Sequence, residues 1–278
     1  MTSNVTNRLC VALAQRGNTG KSTALTCLGQ WYAHHQFAWT GFDLDPDHQS
    51  FSRAFPENVR LIPMSEEPTS DLVRTFKAAL QSPLTMLDPR AHMSNLLLDA
   101  FDSTGFLKLF AEQGGRVTAI ILPADDLEVM MDIDRTLSRF GGAVDYLVIR
   151  NSFRAPKTNM LNGSELEQEL VRLNAGFVQL PTLLATARNM ISAKEISLGR
   201  AITHVESVAN AELKFDPMIR IIIEHWIRDI FHQFDANAKL LLTTDKIGSV
   251  TKANKAKPID ATKTTQRGAR LNLGGMNA

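Results

Sequence analysis

The chain has 278 residues, 44% of them hydrophobic, and its 30 lysines and arginines nearly cancel its 29 aspartates and glutamates. That length suits one large α/β domain or two small ones, and the balanced charge argues neither for nor against a nucleic-acid partner. Two cysteines, Cys10 and Cys27, imply no disulfide framework. The start "MTSNVTNRLC" has no apolar signal core and no uninterrupted apolar run is long enough to span a bilayer, so a cytoplasmic protein off the membrane is expected.

In chain order, "RLCVALA" (Arg8–Ala14) reads as a buried strand, and "KSTALTCLGQWYAHH" (Lys21–His35) as the helix after a glycine-containing loop. Further strands are expected at Phe37–Asp43, Val59–Pro63, Leu84–Asp88, Val117–Pro123, Asp145–Asn151 and Phe177–Pro181. Helical spacing joins Met130, Ile133, Leu137 and Phe140, then Leu166, Leu170 and Leu173. The clearest stripe is Ile219, Ile222, Ile223, Trp226, Ile227, Ile230 and Phe234. Arg220, Glu224 and Arg228 interrupt it, which marks a packed helix rather than a membrane span. Strands alternating with helices imply a doubly wound, mainly parallel sheet flanked by helices.

After Phe234 the periodicity stops. The expected division is a folded α/β domain over 1–236 and a flexible basic tail over 237–278, because Ala, Lys, Thr, Asn and Gly bury too little apolar surface to offset chain entropy. Eight basic and two acidic residues follow position 238, a net +6 against −5 for the rest. Lysines spaced through such a segment suit salt-sensitive contact with DNA phosphates. His34 and His35 lack a third ligand at suitable spacing for a metal site.

The loop "AQRGNTGKST" (14–23) carries the chemistry. Gly17 and Gly20 let backbone N–H groups turn inward, Lys21 can reach phosphate oxygens, and Ser22 can hold Mg²⁺. The strict phosphate-loop pattern asks for glycine where Gln15 stands. The second strand ends "FDLDPDHQS", which places Asp43 and Asp45 on one face at the carboxyl end of the sheet. One carboxylate can orient a Mg²⁺-bound water and the other the attacking water of a phosphoryl hydrolysis. "LTMLDPRAH" is a third strand ending in an acid, Asp88, in the shape of a Walker B strand.

"QRGNTGKST" resembles the deviant Walker A of the ParA/MinD-type ATPases, written K-G-G-x-G-K-[ST]-[ST], with residues 16 to 23 in its positions. "DLDPDHQS" is similar to that family's D-x-D-P switch segment, Asp43 lying 22 residues beyond Lys21, and "MLDPR" takes the Walker B place. The likeness covers roughly Arg8 to Phe234, although only the first ninety or so residues carry specific motifs. It implies a P-loop NTPase fold that binds ATP with Mg²⁺ and hydrolyses it slowly. Nucleotide state would control an ATP-dependent homodimer acting in plasmid or chromosome partition, plasmid stability or conjugative transfer. Non-specific DNA and a cargo or adaptor protein that stimulates hydrolysis are the implied partners.

Carried over position by position, the resemblance implies that Gly17, Asn18, Thr19 and Gly20 cradle phosphates and that Lys21 binds the β and γ groups. Ser22 would ligate the metal, and Thr23 would hold the α-phosphate. Asp43 would stand behind the metal, Asp45 would set the hydrolytic water, and Asp88 would be the Walker B carboxylate. Asn151 falls where family members read the adenine edge and Pro181 where the base packs. The family's signature lysine, which crosses a nucleotide-bridged dimer, is here Arg16, and its second glycine is Asn18. Arginine keeps the charge and presents a planar fork to phosphate oxygens. Two other readings stay open: a nucleotide-sensing adaptor without useful hydrolysis, and a small-molecule kinase or ligase on the same fold. Iron-protein reductases would need paired cluster cysteines, and the membrane-positioning branch a C-terminal amphipathic helix, neither of which the sequence offers.

Overall fold

Alternation along β1 (Asn7–Leu13) sets the layers of the molecule. Cys10 and Ala12 point into one hydrophobic cluster, and Leu9, Val11 and Leu13 into another on the opposite side. A strand buried on both faces reads as a continuous apolar run, as parallel sheets require. The computed structural model describes residues 4–256 apart from 15, 18, 154–159, 195 and 207–214.

Six further strands follow: β2 (Thr40–Asp43), β3 (Val59–Leu61), β4 (Leu84–Asp88), β5 (Gly115–Ile121), β6 (Asp145–Asn151) and β7 (Gly176–Leu180). All pair in parallel, in the order β3-β2-β4-β1-β5-β6-β7, which is the expected doubly wound, parallel sheet. The chain winds to one side of β1 and then to the other, so the crevice at the carboxyl end of β1 is the ligand position of this topology.

Among the described residues, twelve α-helices flank the sheet. They are α1 (Lys21–His34), α2 (Ser50–Ala54), α3 (Pro68–Gln81), α4 (Ser94–Thr104), α5 (Phe106–Glu112), α6 (Leu127–Phe140), α7 (Glu165–Arg172), α8 (Ala185–Ala193), α9 (Leu198–Glu206), α10 (Pro217–Ala236), α11 (Ala238–Leu241) and α12 (Thr244–Ala256). Helices α1, α2 and α8 to α12 feed the cluster under Cys10, and α3 to α7 the one under Leu9. The stripe on α10 buries as expected, and its Trp226 indole donates to the Pro181 carbonyl at 2.7 Å. No helix among the described residues is long and apolar enough to cross a membrane.

Two expectations need correction. The second strand starts at Thr40 rather than Phe37, because the Phe37 N–H closes the end of α1 on the Tyr32 carbonyl and its ring stacks on His35. More consequential, packing does not stop at 236. Ala238, Leu240, Leu241, Leu242 and Val250 are all buried in the cluster that holds α1. The Arg8 guanidinium donates to the carbonyls of Lys239 and Leu242, the Thr118 hydroxyl to that of Leu240, and the Tyr32 hydroxyl to that of Leu241. A run of three leucines anchored by side chains from the sheet and α1 carries no helical period, although "KLLLTT" (239–244) reads as a segment able to dock locally, which it does. Positions 257–278, the rest of the expected basic tail, lie outside the described residues.

Candidate functional site at the carboxyl end of the sheet

The turn from β1 into α1 is built on Gly20, whose φ of +96° is a left-handed conformation that side chains rarely adopt. Space demands glycine as well, since a Cβ there would sit 1.9 Å from Nδ2 of Asn151. That amide donates to the Thr19 carbonyl at 3.0 Å, and its oxygen accepts from the Phe153 N–H at 3.0 Å. Asn151 at the end of β6 therefore braces the loop. Pro181 follows β7, whose Leu180 is in register with Asn151, so the two positions expected around a base do lie together. Gly17 has no such constraint, because a Cβ there would meet only Ala91, at 3.8 Å. Asn18 lies outside the described residues.

Lys21 opens α1 with its side chain buried, its ammonium donating to the carbonyls of Ala14 and Arg16 at 3.3 and 3.4 Å. Burial lowers its pKa, while Asp88, Asp45 and Asp132 pull it back up. The hydroxyl of Ser22 donates to Oδ2 of Asp88 at 2.7 Å, tying the start of α1 to the end of β4. Asp88 is fully buried, and burial pushes its carboxyl up to about 7, with the Ser22 bond and Lys21 opposing and Asp43 and Asp45 adding to the rise. The Thr19 hydroxyl is buried in the loop with no hydrogen-bond partner among the described residues. A buried hydroxyl without a described partner, an ammonium whose pKa burial lowers and a buried carboxyl whose pKa burial raises form, around one loop, a set that a ligand would complete.

The two aspartates after β2 act differently. Oδ1 of Asp43 accepts from the Asp45 N–H, and Oδ2 from the N–H groups of Phe51 and Ser52 and the Ser52 hydroxyl. Both oxygens thus fix the segment into α2, which makes Asp43 the anchor of the turn. Asp45 accepts from the N–H groups of Asp47 and His48 on Oδ1, and the His48 ring faces its Oδ2 at 3.1 Å. This is the side-chain turn typical of aspartate before proline, and it holds the carboxylate at the mouth of the site.

Three residues not singled out from the sequence join the site. Asp126, the N-cap of α6, accepts from the Glu128 N–H and pairs with the half-exposed Arg16 guanidinium, so Arg16 is engaged within its own chain. Asp132, buried on α6, acts on the charge of Lys21. Arg90, just after Asp88, reaches Asp47 at 2.7 Å. Only the Asp126 cap has a local sequence signature; the other two are brought in by the fold. Beside the loop, Ser22 and Thr23 open into a cavity of about 320 Å³ that Thr26, His48, Ser50, Arg53 and Ser197 also line, with no carboxylate on its wall.

The donors fit a hard cation and a phosphate. Ser22 hydroxyl and Asp88 carboxylate are oxygen ligands of the kind Mg²⁺ takes, and a divalent charge would offset the burial that raises Asp88. Among the described residues no group of three or more His, Cys, Asp or Glu side chains could hold a metal. His35 instead faces Asp235 at 3.0 Å.

No protein-family model and no curated protein sequence matches the chain. Solved structures similar to it include a nucleotide-binding protein from Archaeoglobus fulgidus in complex with ADP, at 13% identity over 70% of this chain and 87% of that one, with a TM-score of 0.44. Others are the MinC:MinD cell division complex of Aquifex aeolicus, at 14% over 80% and 95% with 0.43, and the Cyanothece McdA–ATP complex, at 12% over 81% and 96% with 0.40. The identities are low and none of these scores reaches 0.5.

Proposed function

We propose that this chain binds ATP with Mg²⁺ at the β1–α1 loop, hydrolyses it slowly, and uses its nucleotide state to switch between a monomer and a dimer that positions cargo. The observation that carries the reading is the Ser22–Asp88 bond at 2.7 Å, set beside a buried Lys21 behind a left-handed Gly20. Ser22 and Asp88 would hold the metal, whose charge would offset that of the phosphates. Lys21 exchanges two long carbonyl bonds for phosphate oxygens. Asp45, fixed by its turn, orients the attacking water, and Asp43 keeps that turn in place. Arg16 supplies a further cation once released from Asp126.

Plasmid or chromosome partition, plasmid stability or conjugative transfer is the setting that the deviant loop supports, with DNA and a stimulating adaptor protein as partners. Light scattering of Asp45→Ala with Mg²⁺ and ATP, with Arg16 intact and with Arg16→Ala, tests the switch. A dimer that needs ATP and disappears without Arg16 is expected. A monomer in both, with ATP bound, would sink the dimer and leave an adaptor.

A further inference from the structure

Arg90 has no counterpart in the loop chemistry described so far, yet it stands where that chemistry would be felt. The chain leaves β4 at Asp88 and turns at once, the Met93 N–H donating to the Arg90 carbonyl at 3.3 Å. His92 within the turn has a φ of +66°, a left-handed conformation uncommon for a residue with a side chain. Ala91, between Arg90 and His92, would stand 3.8 Å from a Cβ placed on Gly17 of the loop. Arg90 thus follows closely on the segment that ends in Asp88, beside Ala91 near the loop, and its side chain reaches the segment after β2.

Its guanidinium meets Asp47 at 2.7 Å, with both side chains more than half exposed. An ion pair so exposed is worth at most about 1 kcal/mol. The terminal phosphate of a nucleoside triphosphate carries more charge and offers oxygens that a guanidinium can grip with two parallel bonds. Asp47 is itself tied to the catalytic candidate, since its N–H donates to Asp45 at 3.2 Å.

We propose that Arg90 senses the terminal phosphate: it pairs with Asp47 when that phosphate is missing and turns to it when present, freeing the Asp47 carboxylate while the backbone bonds to Asp43 and Asp45 keep the turn in place. The proposal rests on the nucleotide reading above and adds a discriminator between triphosphate and diphosphate. One buried contact links loop to strand end through Asp88, and one exposed contact links strand end to switch segment through Arg90. The second is the one weak enough to exchange.

The test is calorimetric titration, with Mg²⁺ present, of a non-hydrolysable ATP analogue and of ADP into wild type, Arg90→Ala, Arg90→Lys and Asp47→Asn. Arg90→Ala is expected to weaken the analogue about ten-fold while ADP stays within about two-fold, with Arg90→Lys between. Asp47→Asn, which removes the competitor and leaves the cation, is expected to tighten the analogue about two- to three-fold and leave ADP unchanged. Equal shifts for both nucleotides, or none in either variant, would overturn the sensor while leaving nucleotide binding standing. Wild-type protein that binds neither would overturn the nucleotide reading itself, and the sensor with it.

Discussion

Strand β1 has a buried cation at each end, and the two are treated in opposite ways. At its start, Arg8 pairs with Asp145 and donates to Thr118 Oγ1 at 3.1 Å and to the carbonyls of Lys239 and Leu242 at 2.8 and 3.4 Å. Arg116 donates to Asp145 as well, so the amino end of the sheet is a closed network. Beyond its other end, Lys21 has two long bonds to loop carbonyls and a pKa lowered by burial. A cation placed for stability is saturated; one placed for a ligand keeps capacity in reserve.

The contrast breaks most visibly at Arg8. Replacing it with methionine leaves Asp145 and two carbonyls short of a donor and is expected to cost about 3–5 kcal/mol in urea denaturation, with nucleotide affinity unchanged. A loss below about 1 kcal/mol would show that the network is ornamental.

Asp88→Asn comes next and runs the other way. Its folded-state pKa of about 7 lies above the ordinary value of 3.8, so the protonated form favours folding. That contribution is full below about pH 4, is lost as pH rises through about 7, and leaves a constant deficit above it. The asparagine variant is expected to be more stable than wild type at pH 8 by about 2–4 kcal/mol, with the gap closing towards pH 4. Thermal melts at the two pH values decide it, and a pH-independent difference would contradict the buried-acid assignment.

Gly20→Ala should cost about 1–3 kcal/mol, part from the left-handed backbone and part from the clash with Asn151. Adding Asn151→Ala should recover the second part alone; full recovery would mean that the backbone is not strained. The smallest stability change is expected at Lys21→Met, within about 1 kcal/mol of wild type. A large loss there would make Lys21 a second Arg8.

Much of this contrast was legible in the sequence. The strand, loop and helix in series, and the aspartates at two strand ends, place Lys21, Ser22, Asp43, Asp45 and Asp88 around one crevice, because a parallel sheet brings carboxyl ends together. What could not be read was who holds whom. Arg8 looked like an ordinary strand residue, and its partners Asp145, Lys239 and Leu242 are more than 130 positions away. Long-range partners likewise join Asn151 to Thr19, 132 positions apart, and Asp126 to Arg16. Residues 238–250, apart from "KLLLTT" as a segment able to dock, were assigned to the flexible tail for a different reason: their burial depends on three side chains from the sheet and α1, Arg8, Thr118 and Tyr32, not on a pattern of their own.

The proposal that the carboxyl end of the sheet, completed by Mg²⁺, receives ATP has one direct test. Titrating ATP into wild type with and without Mg²⁺, and into Lys21→Met, tests it most directly. Binding that needs the metal and weakens at least about a hundred-fold in the variant, with the fold intact by circular dichroism, is expected. ATP binding that survives the loss of Lys21 unchanged, or no binding by folded wild type, would contradict it.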